Sequence, residues 1–162
     1  MPIRRLALTL AATAALAGCA TTPTPVSVAD TIARDPHLST LNNLVHKAGL
    51  ADTLKAAGPY TVFAPTNDAF KSLPAKTMDE LSRDPSRLRE VLTFHVVPAK
   101  LTSGEVKPGN VSTAQGGNVG VSKAGTFVTV EEAMVQNADL VASNGVVHTV
   151  DRVLMPPAPA RR

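Results

Sequence analysis

The residues best equipped for chemistry lie near the end of the chain: His148, with Asp151 three residues after it and Ser143 five residues before it. An imidazole between a hydroxyl and a carboxylate is the set that activates a nucleophile in hydrolases. On a strand, though, successive side chains alternate between faces, so His148 falls with Val146 and Val150 while Asp151 points the other way. The spacing therefore favours a hydrogen-bonded structural histidine, and no catalytic residue is assigned. His95 continues the apolar stripe Leu88, Val91, Leu92 and is expected to be packed rather than to act as a ligand. The four histidines, His37, His46, His95 and His148, show no ligand spacing such as His-Glu-x-x-His, so neither a metal nor a cofactor is expected. Gly116-Gly117-Asn118 lacks the Lys-Ser/Thr of a phosphate loop and precedes a strand, which makes it a turn.

Composition narrows the partners. Aromatics are 3% of the 162 residues, with no Trp and one Tyr, so base stacking has few platforms and no nucleic-acid partner is expected. The formal charge of +3 includes Arg4 and Arg5, and without them 14 cationic residues face 13 acidic ones. The mature charge gives no reason to expect an acidic partner.

Met1 to Arg5 is a short basic run, Leu6 to Leu16 is uncharged and rich in Ala and Leu, and Leu16-Ala17-Gly18-Cys19 follows. This is the architecture of an export signal. The 11 uncharged residues span roughly 16 Å as a helix, short of the roughly 30 Å of a bilayer's hydrocarbon core. Leu-Ala-Gly-Cys resembles the lipobox of bacterial lipoproteins, in which the cysteine thiol carries a diacylglycerol. Residues 1–18 are thus expected to be a lipoprotein signal peptide, with Cys19 lipidated and residues 19–25 a Pro/Thr-rich tether. Cys19 is the only cysteine, so the mature domain has no other thiol to mispair. Pro156-Pro157-Ala158-Pro159 cannot continue a strand or helix, and residues 157–162 are expected to be a disordered tail.

The elements that must position these residues fall into two halves. Ser27 to Asp30 resembles a capping box opening a short helix that stops before Pro36, and Leu38, Leu41, Leu44, Val45 and Ala48 recur at helical spacing up to Gly49. Leu50 to Ala57 is again helical in composition, until Gly58-Pro59. Tyr60 to Phe63 is a buried strand, Thr66 caps a short helix with Asp68 in its first turn, and Pro74 closes it. Thr77 to Glu80 is a fuller capping box, and Asp84-Pro85 opens a helix that Pro98 ends. From Lys100 the apolar period shifts to 2, with turns at Pro108-Gly109-Asn110, Gly116-Gly117-Asn118 and Ala124-Gly125. Asn144-Gly145 is expected at the tip of a two-residue hairpin joining Ala138–Ala142 to Val146–Leu154. Helices followed by strands without βαβ alternation predict an α+β fold with a mostly antiparallel sheet.

Three segments carry a resemblance. Tyr60-Thr61-Val62-Phe63-Ala64-Pro65-Thr66-Asn67-Asp68-Ala69-Phe70 resembles the first signature of fasciclin domains, and Asn144 to Pro156, which includes Gly145, His148 and Asp151, resembles the second. Between them Leu92-Thr93-Phe94-His95-Val96-Val97-Pro98 is similar to the family's central Tyr-His segment, with Phe94 where Tyr is usual. The resemblance implies one fasciclin-like domain over residues 26–156, with N-terminal helices packed on a β-wedge, used for adhesion or for surface and matrix interactions rather than catalysis. It also implies candidate partner contacts at Phe94, His95, Asp139 and Leu140, the latter two matching an Asp-Ile pair imperfectly.

The expectation is an exported lipoprotein held by the lipid on Cys19, in the outer membrane and periplasm of a Gram-negative cell or on the outer face of the plasma membrane otherwise. Its domain is expected to bind a surface protein or polysaccharide. A small-ligand or lipid-binding module is the alternative, and a hydrolase using histidine and carboxylate stands behind that.

Overall fold

In a computed structural model of the chain, which describes residues 26–157, Ser27 opens the first helix, α1 (Val28–Arg34). Its hydroxyl accepts the Asp30 amide at 3.2 Å and donates to the Asp30 carboxylate at 2.7 Å, so Ser27 caps the helix as expected, with the carboxylate returning to the hydroxyl. Residues 1–25 and 158–162, and with them the expected signal peptide, Cys19, the expected tether and most of the expected tail, lie outside the described residues. Pro36 stops α1, and Asp35 caps a 3-10 turn, Pro36–Leu38, that leads into α2 (Ser39–Lys47). Gly49, at φ 69, terminates α2 in the left-handed region. Helix α3 (Ala51–Lys55) is shorter than the run Leu50 to Ala57, because Ala56 turns extended.

Strand β1 (Tyr60–Pro65) leads to α4 (Asn67–Lys71), where the Thr66 hydroxyl accepts the Ala69 amide and exposed Asp68 pairs with Lys71 at 2.9 Å. Helix α5 (Ala75–Arg83) starts two residues before Thr77, so the Thr77–Glu80 box does not form. Pro74, extended at ψ 136, supplies the start instead, and its carbonyl accepts the Met78 amide at 3.1 Å. Asp84 caps α6 (Pro85–Phe94) through the Ser86 and Arg87 amides. This helix ends well before Pro98, because Val96–Val97 leave it as strand β2 to pair with Thr61 and Val62 of β1.

The strand half comprises β3 (Gly109–Ser112), β4 (Asn118–Ala124), β5 (Phe127–Val130), β6 (Ala133–Ala142) and β7 (Gly145–Val150). They join β1 and β2 in one seven-stranded sheet, ordered β2-β1-β7-β6-β5-β4-β3. Every pairing is antiparallel except β1 with β7, which run parallel from Tyr60↔Gly145 to Pro65↔Val150. All six residues of β7 are buried, as suits a central strand covered on both faces. One apolar cluster lies under the helices (Val28, Ile32, Leu38, Leu41, Leu54, Val62, Leu88, Val147). A second fills the wedge of strands (Phe63, Phe94, Val97, Val119, Val121, Val130, Val150, Leu154). The fold is the expected α+β arrangement of helices on a mostly antiparallel wedge.

The β6–β7 turn differs by one residue from the expectation. Ala142 pairs with Gly145, so Ser143-Asn144 form the loop, and neither Asn144 nor Gly145 has positive φ. Gly145 is required for a different reason: a Cβ there would overlap the Tyr60 carbonyl of the parallel neighbour. The glycine lets two backbones approach, rather than letting one turn.

Candidate functional site

His95 follows α6 and is 1% exposed. Its Nδ1 donates to the Val91 carbonyl at 2.7 Å and its Nε2 accepts the Leu154 amide at 2.9 Å, which selects the neutral Nδ1–H form. Burial pushes its pKa down to about 4, against the opposing pull of the Val91 carbonyl. Phe94 is equally enclosed in the wedge cluster. The structure thus corrects the expectation of a partner contact at Phe94 and His95. The inner stripe of α6 carries both into the core, and neither reaches a surface.

His148 sits opposite Phe63 in the parallel register and stacks on it, ring centroids 5.6 Å apart and planes 23° from parallel. Its Nε2 donates to the Leu101 carbonyl at 2.7 Å, and its Nδ1 accepts the Asp139 amide at 3.1 Å. Burial lowers its pKa, outweighing the Leu101 carbonyl and the Asp139 carboxylate, which act to raise it. Asp151 is occupied elsewhere: its carboxylate accepts the Met134 amide at 2.7 Å, and its own amide donates to the Met134 carbonyl. The Ser143 amide donates to the Val26 carbonyl. Ser143, His148 and Asp151 are therefore not assembled as a triad, and both ring nitrogens of His148 are spent on backbone partners.

What remains at the surface is Asp139. Strand β6 slips register between Val135 and Asn137 and again between Asn137 and Leu140, and in this irregular stretch Asp139 takes φ 60. Aspartate is found in that left-handed region more often than most residues, and here its carboxylate is tied to a distant loop. Its carboxylate accepts the Ser103 amide at 2.7 Å and the Ser103 hydroxyl, while Lys123 Nζ donates to the Ser103 carbonyl at 2.7 Å. Burial, which acts to raise its pKa, is outweighed by the two Ser103 bonds, with His148 and Lys123 adding to them, and the carboxyl is held below its ordinary value. Leu140 is half-buried and packs on the helical cluster, so of the four expected partner contacts Asp139 alone presents an exposed polar group. Ser103 and Lys123 escaped sequence reasoning, being 36 and 16 residues from Asp139 with no motif to join them.

Asn144 has a role its turn position did not suggest. Its Oδ1 accepts the Val28 amide at 2.8 Å, and its Nδ2 donates to the Leu54 and Ala56 carbonyls at 2.8 and 2.7 Å. One side chain thereby satisfies orphan groups at the start of α1 and the end of α3. Among the described residues no group of three His, Cys, Asp or Glu is arranged to hold a metal. An open groove of about 750 Å³ lies between the end of α2 and α6, lined by His46, Lys47, Arg89, Glu90 and Gln115 among others.

Helices covering a mostly antiparallel wedge, with two enclosed histidines hydrogen-bonded to backbone groups, define the class of fold. A family model for the fasciclin domain matches residues 36–156, and the chain belongs to that family. It is 41% identical over 140 residues to Protein sll1483 of Synechocystis sp., covering 85% of this chain and 78% of that one. It is 42% identical over 143 residues to Immunogenic protein MPB70 of Mycobacterium bovis, covering 83% of this chain and 70% of that one. With Transforming growth factor-beta-induced protein ig-h3 of Sus scrofa it shares 40% identity over 138 residues, covering 85% of this chain and 20% of that longer one. Among solved structures it resembles a FAS1 domain pair from the insect cell adhesion molecule Fasciclin I, at a TM-score of 0.62 and 24% identity, covering 75% of this chain and 46% of that one.

Proposed function

We propose that the chain is a cell-envelope lipoprotein, acylated at Cys19, whose fasciclin domain binds a surface protein or polysaccharide without catalysing a reaction. The observation that carries this reading is the exposed Asp139 carboxylate, held by Ser103 on an irregular strand. A fixed carboxylate loses little conformational freedom when it meets a cation or a row of hydroxyls, which favours recognition. The saturation of His95 and His148 by backbone groups supports the reading against a hydrolase. The likeness to a FAS1 domain pair of an insect cell adhesion molecule is in keeping with it. In a Gram-negative cell the protein belongs on the outer membrane, since Ala20 rather than Asp follows the acylated cysteine.

The groove at Lys47 and Arg89 favours a small-ligand module as the second reading, yet both cations already donate to carbonyls, those of Ser82 and Ala48. Attachment to matrix polysaccharide and envelope extracts, measured with the acylated full chain, tests the first reading. Folded Asp139→Ala should attach less than wild type while Arg89→Gln is unchanged. Equal attachment by wild type and Asp139→Ala sinks the site, and no attachment by wild type sinks the reading.

A further inference from the structure

The domain is bolted at its N-terminus to one end of its own sheet. The Val26 carbonyl accepts the Ser143 amide at 2.8 Å, and the Val28 amide donates to Asn144, so the chain enters at the β6–β7 hairpin tip. Cys19 lies seven residues before Val26. Whatever conformation those residues adopt, covalent geometry limits their reach to about 25 Å. We propose that this hairpin end is a membrane-facing surface that rests on anionic phospholipid headgroups, an inference that depends on the acylation of Cys19 argued above.

The residues at this end suit that occupant. Val141 is 69% exposed, the largest exposure among the big apolar side chains of the described residues. It pairs with Val146, which pairs with Thr61, whose hydroxyl donates to the Ala99 carbonyl at 2.6 Å. Exposed Lys100 follows Ala99 and lines an open notch of about 380 Å³ with Ala57, Gly58, Pro59, Ser143 and Asn144. Exposed Ala56, Ala57 and Pro59 surround it with small apolar groups, and exposed Lys55 adds a second cation. Of the nearby acids, Asp30 accepts a hydrogen bond from Ser27 and shares the charge of Lys55, and Asp52 lies on α3 one turn before Lys55, which leaves Lys100 as the principal cation of this end. Shallow apolar groups flanked by lysines match the boundary between headgroups and acyl chains. Each contact is weak, but the short connection makes it intramolecular, at an effective concentration of about millimolar, so weak contacts suffice. The turn between Val130 and Ala133 lies at the other end of the ten-residue β6 and carries Glu131 and Glu132, the latter facing Arg152 at 3.7 Å.

The test uses the acylated full chain in vesicles of phosphatidylethanolamine and phosphatidylglycerol. Cys19 is the only native cysteine and is blocked by its acyl thioether, so Val141→Cys and, separately, Glu132→Cys each accept one fluorophore. A lipid-borne nitroxide should quench the label at position 141 several-fold more than the label at 132. Lys100→Glu, or replacement of phosphatidylglycerol by phosphatidylcholine, should reduce that difference. Equal quenching at both positions on a chain whose residue 19 carries acyl groups by mass spectrometry overturns the docking and leaves the anchor standing. A residue 19 without acyl groups overturns both. Preferential quenching at 141 that ignores Lys100→Glu and lipid charge overturns the choice of anionic headgroups.

Discussion

His95 accepts the amide proton of Leu154 across 59 residues of chain, so the corner after α6 and the segment leaving β7 are joined by a neutral imidazole. Protonating that ring would cancel the acceptor and charge the core. With a folded pKa of about 4 against an ordinary 6.5, the unfolded chain takes up the proton first as pH falls. Stability from this group is full above about pH 6.5, declines through the interval and is gone below about 4, a loss of about 3 kcal/mol. His148, also lowered by burial, acts in the same direction. Urea midpoints should fall steadily between pH 7 and pH 4, and the NMR signal of His95 should not titrate near 6.5. A folded-state imidazole titrating there would contradict the enclosed geometry.

Gly145→Asn should destabilise as much as Gly145→Val. Asparagine is tolerated where a turn needs positive φ, but any Cβ at this position meets the Tyr60 backbone. A Gly145→Asn variant with a wild-type denaturant midpoint would restore the turn explanation. Asn144→Ala, which frees the Val28 amide and the Leu54 and Ala56 carbonyls, should cost about 1–3 kcal/mol.

Phe94→Ala should lower unfolding free energy by about 3–5 kcal/mol, the range for removing a buried aromatic. The ring lies beneath Gly117, where an added methyl would sit 3.1 Å from Phe94 Cε2, so Gly117→Ala should destabilise as well. Both effects are measured by chemical denaturation. A neutral Phe94→Ala would mean the side chain is a surface contact after all.

Cys19→Ser should release the protein from membranes or leave it unprocessed, because two or three acyl chains at about 0.8 kcal/mol per buried CH₂ anchor stably where a bare chain does not. Fractionation of cells reads this directly, and unchanged membrane retention of a variant cleaved like wild type would refute the anchor.

The fold was largely legible because its signals are local. Ser27, Thr66 and Asp84 each cap within three residues, and the stripe Leu41, Leu44, Val45 needs only one helix to show itself. Where local and tertiary demands competed, the sequence misled. Thr77 and Glu80 look like a cap, yet Pro74 had already started the helix. Asn144-Gly145 looks like a turn, yet the parallel approach of β1 claimed Gly145 for close packing. Phe94-His95 was drawn in two directions, by its helical stripe toward the core and by resemblance toward a surface. Burial followed the stripe, because an apolar period records packing directly while a motif records only membership. The Ser103–Asp139–Lys123 cluster had no linear signal at all, since a loop and two strands meet there only after the sheet has formed.

The parallel pairing of β1 with β7 also dictates when the domain can close. Val62 has only its β2 neighbour Val96 until Val147 has been made, and about two thirds of the domain lies between Val62 and Val147. Contacts of such long range require loop closure before they repay it, which slows folding. A growing chain that still lacks β7 therefore has an open sheet and a half-covered core. The last strand of the described residues is thus the one that completes the sheet and closes the core over both faces of β1.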